Sequence, residues 1–432
     1  MDNKILDIID MSVEGDGIAR VGDEVYFIDG AVEEEKVEAE ILKQKDNLIW
    51  GRLVKIVEPS WRRAEPQCPY FDKCGGCKLM HLNKETQLLF KMLSLKRTIK
   101  KVTNLDIDVL ETVSAPNDLR YRNTIQLKVE RTEDYGVDIG FYEPSSHKLV
   151  AIDDCIICNE KNATLIALMK QYIEETNAQI ESIFASFFDN NLAILVQSTN
   201  GECDEKLCDL LKTKFDNVSL WASKQFTTST LLNYKEARYV AGEKTLKVHF
   251  DGIEVDVTPL DFVQINFDVA KIMYDCLLSS VGENKVVLDL YSGLGITSVK
   301  LAQNGNFVCS IEQIENSVNS AKALAEKYGV SDKIIHHCGD CAEILPTLEF
   351  SEAEKENLVV FLDPPRRGAG RTAIEALKQV EPKAIIYMSC NPTSLAKDVR
   401  DLLDKYEIVS MQAFDMFPHA NNIESLTILR KR

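Results

Sequence analysis

The sequence has little of what a secreted or membrane protein needs. Its first residues, MDNK, are not a basic segment followed by an apolar one, so we expect no signal peptide. Its apolar runs are far shorter than the roughly 20 residues that cross a membrane. We therefore expect a cytoplasmic monomer without a membrane partner. In that compartment its twelve cysteines would serve a metal, a cluster or catalysis and not disulfides.

Acidic side chains outnumber basic ones, and the formal net charge of −18 argues at first against a nucleic-acid partner. The charge is unevenly distributed, however. Residues 1–58 contain 15 acidic and 7 basic side chains, whereas residues 59–101 contain 10 basic and 3 acidic ones. One basic segment can follow a phosphate backbone, and a solvated helix face is the alternative.

The chain is long enough for two or three domains at 432 residues, and its patterns predict three. Residues 1–58 alternate in short runs broken by Gly and Asp, which indicates a small antiparallel barrel. Residues 59–255 mix strands and helices as an α+β domain. Residues 256–432 alternate strand and helix, which indicates an α/β domain with a parallel sheet covered by helices.

Residues 84–101 have the apolar spacing of a helix with a basic face. The apolar positions in this spacing are Leu88, Leu89, Met92 and Leu95.

The first strand of the third domain runs into the loop LDLYSGLGITS, which indicates a nucleoside site. Gly293 and Gly295 let the backbone approach a ligand closely, but the third glycine of a dinucleotide loop is missing. Asp289 would repel a pyrophosphate and can accept from an ammonium group. Glu312 and Asp340 end the next two strands, where they suit ribose hydroxyls and an adenine amino group. This set fits S-adenosylmethionine (SAM) better than NAD.

The next strands bring a carboxylate and a thiol to the same edge. The fourth strand ends in DPPRRG, which begins with Asp363. The segment Asp-Pro-Pro resembles the loop by which amino-methyltransferases hold an amine. Those enzymes have an aromatic residue after the prolines, where this chain has Arg366. Cys390 ends the fifth strand, and Glu424 opens a last strand that is antiparallel in SAM folds. A thiolate that adds to C6 of a pyrimidine activates C5, whose proton a base must then remove. The pair therefore favours carbon methylation over amine methylation.

A second group of cysteines stands far upstream in CPYFDKCGGC. Cys68, Cys74 and Cys77 have the spacing C-x5-C-x2-C around a Gly-Gly turn, with Cys155 or Cys158 further on. Such thiolates hold either zinc or an iron–sulfur cluster, and the spacing does not distinguish the two.

Five segments, DLYSGLG, DPPRRG, YMSCNPTSLAKD, FDMFPHANNIES and FVQIN, together resemble the RNA uracil-C5 methyltransferase family. The resemblance implies a class I SAM-dependent methyltransferase fold, a Rossmann-like doubly wound sheet with an antiparallel last strand. It implies that Cys390 is the nucleophile and Glu424 the proton acceptor. The positions that it assigns to SAM binding or base orientation are Gln264, Tyr291, Glu312, Asp340 and Asp363.

The resemblance extends to the upstream segments. The cysteine motif resembles that of the ribosomal-RNA members, which implies a 4Fe-4S cluster on Cys68, Cys74, Cys77 and Cys155, with Cys158 as a substitute. We expect the cluster to shape an RNA-binding surface within the basic segment. Residues 1–58 resemble a TRAM domain, an OB-like RNA-binding barrel. Together these features favour 23S ribosomal RNA over tRNA. A non-catalytic RNA-binding protein remains the other alternative, whereas the proline-cysteine loop of the cytosine-C5 enzymes is absent.

Overall fold

The computed structural model describes residues 3–133, 136–224 and 236–432. Its first part is a barrel of the strands β1 (Asn3–Asp7), β2 (Asp10–Met11), β3 (Gly17–Val21), β4 (Glu24–Asp29), β5 (Lys36–Lys45) and β6 (Leu48–Glu58). Strand β1 pairs with β5 at one end of the sheet, and β2 pairs with β3 at the other. Because β1 and β2 are consecutive, the sheet closes on itself. This is the predicted small barrel, with one parallel pair between β4 and β6.

Helix α1 (Lys84–Thr103) and strand β7 (Leu110–Val113) follow the cysteine-rich segment. Asn83 caps the helix by accepting from the Thr86 N–H at 2.9 Å, and the helix ends at Asn104 with φ of 59°. Of the four apolar positions in the predicted helical spacing, Leu95 is buried and the other three are half-buried. Gln87 and Lys91 are also buried, since each has polar partners in the C-terminal part of the chain.

The middle of the chain forms a seven-stranded sheet in the order β10-β9-β8-β11-β12-β13-β14. Its elements are β8 (Thr124–Arg131), β9 (Val137–Tyr142), β10 (Leu149–Ala151), α2 (Lys161–Thr176), β11 (Ile180–Phe188), β12 (Asn191–Ser198), α3 (Lys206–Leu211), β13 (Val218–Lys224) and β14 (Arg238–Gly242). The hairpin of β15 (Leu246–Phe250) and β16 (Ile253–Val257) follows and packs into the core of the C-terminal sheet.

The C-terminal part alternates helix and strand as predicted. Its elements are α4 (Phe267–Val281), β17 (Val286–Leu290), α5 (Ile296–Gln303), β18 (Phe307–Glu312), α6 (Glu315–Lys327), β19 (Ile334–Cys338), α7 (Cys341–Ile344), α8 (Glu352–Lys355), β20 (Leu358–Leu362), α9 (Arg371–Val380), β21 (Ala384–Ser389), α10 (Pro392–Leu402), β22 (Tyr406–Phe414) and β23 (Glu424–Lys431). Two 3-10 turns, Ser331–Lys333 and Leu345–Thr347, flank β19 and α7.

The C-terminal sheet is doubly wound in the order β19-β18-β17-β20-β21-β23-β22-β7. Strand β23 is antiparallel to both of its neighbours, which confirms the predicted inversion of the last strand. The buried strand LVVFL of β20 is apolar throughout because helices cover both faces of a parallel sheet. Strand β18 lies on one side of β17 and β20 lies on the other, so the direction of winding reverses at β17. Such a reversal leaves a crevice at the carboxyl edge of the sheet.

The predicted central domain, residues 59–255, includes helix α1 and strand β7, which the structure joins to the C-terminal sheet as it does the hairpin of β15 and β16. Strand β7 pairs with β22 at the sheet edge. Helix α1 contributes Leu95 and Ile99 to the apolar core on one face of that sheet. The C-terminal domain therefore includes residues that precede the middle sheet in sequence. The strand-helix alternation begins at residue 256, so it did not indicate these additions.

The basic segment 59–101 is not an open cationic surface. Seven of its ten basic side chains form ion pairs, namely Arg62, Arg63, Lys78, Lys91, Lys96, Arg97 and Lys100. Glu33 and Glu34 pair with Arg62, and the buried Glu35 pairs with Arg63. Arg62, Arg63, Lys78 and Arg97 pair with acids of the barrel, so acidic side chains of residues 3–58 offset part of the positive charge of this segment.

In the part of the chain that the structure describes, no helix is long and apolar enough to cross a membrane.

Candidate active site

Six functional side chains lie at one edge of the C-terminal sheet, on six adjacent strands. In the order of the strands they are Asp340, Glu312, Asp289, Asp363, Cys390 and Glu424. The first five lie at or just after the carboxyl ends of parallel strands. Glu424 begins the inverted strand, so it lies at the same edge. The structure thus brings together the residues that the sequence assigned to strand ends.

The glycine loop between β17 and α5 faces Glu312 on the neighbouring strand. The Gly293 N–H donates to Oε2 of Glu312 at 3.0 Å, and the Ile314 N–H donates to Oε1 at 2.8 Å. Gly295 has φ of +81°, and a Cβ there would lie 2.6 Å from Cβ of Ala321. Only glycine therefore allows α5 and α6 to approach this closely at the loop.

Asp289 is fully buried beneath the loop. Thr297 donates to its Oδ2 at 2.8 Å, and Ser298 donates to the same oxygen. Its Oδ1 is buried without a hydrogen-bond partner. Burial raises the pKa of Asp289 to about 6, and Glu312 adds to the rise. An unpartnered buried carboxylate oxygen fits a ligand that brings its own donor, as an amino-acid ammonium group does.

Tyr291 begins the glycine loop, and Asp340, which follows β19, influences its hydroxyl. The Asp340 carboxylate accepts from the Ala342 N–H at 2.7 Å and so begins α7. Tyr291 has φ of +63°, and burial, followed by the thiol of Cys341, raises the pKa of its hydroxyl. Cys338 and Cys341 form a second C-x2-C, in which Cys341 is buried and Cys338 is exposed.

Cys390, Asp363 and Glu424 interact electrostatically at the centre of the edge. Burial, then Glu424 and Asp363, raise the pKa of the Cys390 thiol to about 12, and Arg366 opposes this rise. Burial and the charge of Asp363 raise the pKa of Glu424 well above its ordinary value, and Arg366 lowers it. Burial and Asp289 raise the pKa of Asp363 to about 7. The environment therefore favours the protonated forms of the Cys390 thiol and of the carboxyl groups of Asp363 and Glu424.

Arg366 is a positive charge that favours the thiolate of Cys390 against the effects of burial and of the two carboxyl groups. It is the positive charge that acts on both Cys390 and Glu424. Its backbone carbonyl accepts from Asn391 Nδ2 at 2.8 Å and from the Ser394 hydroxyl at 3.1 Å. These bonds attach the Asp-Pro-Pro loop to Asn391, which follows Cys390, and to Ser394. Asn391 also caps α10, as the signal Asn-Pro at 391–392 indicates.

Gln264 reaches the site from the segment before α4. Asn123 of the middle sheet fixes its backbone by donating from Nδ2 to the Gln264 carbonyl at 2.8 Å. The Gln264 side chain contacts the hydroxyl of Tyr274, whose pKa burial and the nearby Asp363 raise. Tyr274 is a buried site residue that the sequence analysis missed, since an aromatic residue on the apolar face of a helix is usually core.

The upstream cysteines are free thiols that lie near one another. Burial, then the thiols of Cys155, Cys74 and Cys68, raise the pKa of Cys77 to about 12. Cys158 lies fully buried in the core of the middle sheet. Among the described residues, no group of three or more His, Cys, Asp or Glu side chains has an arrangement that could hold a metal ion. The donor types fit a thiolate-bound cluster, and their present arrangement does not.

The strand order, the inverted β23 and the acids beside a glycine loop define a class I methyltransferase. The model of the tRNA (uracil-5-)-methyltransferase family matches residues 83–432, so the chain belongs to that family. It is therefore an RNA methyltransferase, despite its net charge of −18.

Relatives and solved structures agree with this assignment. The chain is 31% identical to an uncharacterized RNA methyltransferase of Caldanaerobacter subterraneus subsp. tengcongensis, over 99% of this chain and 97% of that protein. It is 29% identical to one of Clostridium tetani, over 98% and 95%. The fold resembles that of the Pyrococcus abyssi tRNA (uracil-54, C5)-methyltransferase in complex with S-adenosyl-L-homocysteine. That likeness has a TM-score of 0.74 at 23% identity, over 99% of this chain and 100% of the other.

Proposed function

We propose that this protein methylates C5 of a uridine in RNA through a covalent adduct on Cys390. The observation that supports this most is the register of β21 and β23. Ser389 pairs with Ser425, so the same antiparallel register continued by one residue puts Cys390 opposite Glu424. A nucleophile and a proton acceptor that face each other suit an addition followed by proton removal.

In the proposed reaction Sγ of Cys390 adds to C6 of the uracil, and C5 becomes nucleophilic. SAM, when bound, supplies the methyl group that C5 receives. Glu424 then takes the C5 proton, the C5–C6 double bond reforms, and the bond between Sγ and C6 breaks. Burial raises the pKa of Glu424, which makes its carboxylate a stronger base than an exposed one and favours this role.

The residues proposed to hold the two substrates flank Cys390. The unpartnered oxygen of Asp289 would accept from the ammonium group of SAM, with Gly293, Gly295, Glu312, Asp340 and Tyr291 around the rest of the nucleoside. Asp363 and Gln264 would hold the edge of the uracil. The target base must leave its stack to reach the thiol, because C6 is inaccessible within stacked RNA.

Replacement of Glu424 tests the roles of the two central residues. Glu424→Gln should accumulate a covalent protein–RNA adduct under methylating conditions, because the C5 proton stays in place and the thiol cannot leave. Cys390→Ala should form no adduct and no product. Denaturing gels with labelled RNA measure both. Absence of adduct from Glu424→Gln would contradict the assignment.

For the RNA, we propose 23S ribosomal RNA, with the barrel of residues 3–58 as a TRAM-like module. The support is the presence of this barrel and of the cysteine motif upstream of the methyltransferase sheet. Mapping 5-methyluridine in 23S RNA and tRNA, from cells with and without this chain, tests the choice. Loss of the modification from tRNA alone would contradict it. We further propose that the protein acts in the cytoplasm as a monomer, which light scattering of the purified chain tests.

We also propose that Cys68, Cys74, Cys77 and Cys155 hold a 4Fe-4S cluster. The support is the set of four thiol donors, which lie near one another but would have to draw together to bind the cluster. The deep burial of Cys158 favours Cys155 as the fourth ligand. Iron content and the visible absorption of the anaerobically purified protein measure the cluster. Cys155→Ser should lose it and Cys158→Ser should retain it. The opposite result would exchange the two assignments.

A further inference from the structure

The loop that precedes Glu424, residues 415–423, connects β22 to β23. Phe414 pairs with Glu424 across these two strands, so the loop begins and ends beside the proposed proton acceptor. We call residues 415–423 the base loop. Its sequence, DMFPHANNI, contains one left-handed residue, His419, with φ of +68°. A non-glycine residue keeps this conformation only where its surroundings hold it.

Helix α1 holds the base loop with two buried polar side chains. Gln87 Oε1 accepts from the His419 N–H at 2.9 Å, and Gln87 Nε2 lies 3.2 Å from Nδ1 of the same residue. Lys91 pairs with Asp415 and donates to the Phe417 carbonyl at 2.8 Å. Lys91 is fully buried, and the proposed reaction uses neither Lys91 nor Gln87.

The cysteine-rich segment holds the same loop through its backbone. The N–H groups of Lys78 and Leu79 both donate to the His419 carbonyl, at 3.0 and 2.8 Å. These two residues directly follow Cys77. A further bond runs from the Tyr121 hydroxyl to the Pro418 carbonyl at 3.1 Å. Every backbone polar group of His419 is therefore bound by residues outside the C-terminal sheet.

We propose that Gln87 and Lys91, with the backbone after Cys77, are positioning residues for Glu424. They fix the base loop and so set the place of the carboxylate relative to C5 of the bound uracil. Cys390 lies on a separate loop, after β21, which Asn391 and Arg366 fix. Disturbing the base loop should therefore slow removal of the C5 proton and leave addition of the thiol unchanged. This inference rests on the proposed function.

Single-turnover kinetics on Gln87→Ala test the inference, with adduct and methylated product measured separately. We expect adduct to form at the wild-type rate and to decay about 10-fold to 100-fold more slowly, as a misplaced catalytic group predicts. Gln197→Ala is the matched control, because Gln197 is also buried and hydrogen-bonded but lies in the middle sheet. It should leave both rates unchanged. Gln87→Glu, which keeps an oxygen for the His419 N–H, should recover most of the decay rate.

Tyr121→Phe provides a variant that preserves folding, since it removes only the bond to Pro418. It should slow adduct decay in the same direction by a smaller factor. An equal loss of adduct formation and decay in Gln87→Ala, or an unchanged decay rate, would overturn the inference. RNA with 5-fluorouridine at the target position separates failure of this inference from failure of the proposed function. Fluorine cannot leave C5 as a proton does, so the covalent adduct should persist whatever the position of Glu424. Wild-type protein that forms no adduct with that RNA would refute the covalent mechanism itself.

Discussion

Replacing Asp363 by Asn should stabilise the protein at pH 8 while it impairs methylation. Burial and Asp289 raise the pKa of Asp363 from its ordinary value of 3.8 to about 7. Above pH 3.8 the unfolded chain loses this proton, whereas the folded chain keeps it until about pH 7. The stability of the wild type therefore falls as the pH rises through this window. At about 1.4 kcal/mol per pH unit, the full penalty is at most about 4 kcal/mol.

The asparagine variant has no such proton, so its advantage should grow with pH. Between pH 5.5, which lies above the sequence pI of about 4.9, and pH 8, the gain in free energy of unfolding should increase by about 2 kcal/mol. Urea unfolding at the two pH values measures it. Asp332→Asn, at an exposed 3-10 turn, is the control and should show no such increase. A gain that is equal at both pH values would refute the reasoning.

Three further predictions follow from the site and its supports. Arg366→Gln should slow alkylation of the Cys390 thiol by iodoacetamide about two- to fivefold at pH 9, whereas Arg366→Lys, which keeps the charge, should not. Peptide mass spectrometry measures the alkylation. Equal rates in the wild type and Arg366→Gln would exclude an influence of this charge. Gly293→Ala should lower the free energy of unfolding by about 1 kcal/mol, because its φ is positive but nothing obstructs the added Cβ. Gly295→Ala should cost several times more in the same urea assay, because its Cβ would clash with Ala321. Similar costs for the two variants would contradict the packing argument. Lys91→Met should cost about 3–5 kcal/mol in urea unfolding, because it leaves a buried carboxylate unpaired, and a cost below about 1 kcal/mol would contradict the buried pair.

Strand-helix alternation in residues 256–432 predicted the C-terminal sheet apart from its edge strand β7. Residues at strand ends meet at one edge of any parallel sheet, so Asp289, Glu312, Asp363 and Cys390 could be grouped without coordinates. The inversion of β23, which brings Glu424 to that edge, followed from the family resemblance.

The positive charges were the weakest part of the prediction. Counting bases in residues 59–101 indicated a basic segment, but five of its ten basic side chains pair with acids that are at least 28 residues away in sequence. Lys91 and Asp415, for example, are 324 residues apart. Sequence periodicity reports which positions are apolar, and it contains no information on which buried polar groups will find a partner.

The sequence alone determined the class of this protein, because local patterns specify strands, turns and the residue types that end them. Only the tertiary structure decided how the site is held. Arg366 acts on Cys390 across a loop, Gln87 binds His419 across the protein, and the thiols near Cys77 lie close to that contact. Such contacts depend on the packing of elements that are remote along the chain, and electrostatic interactions depend on distance in space.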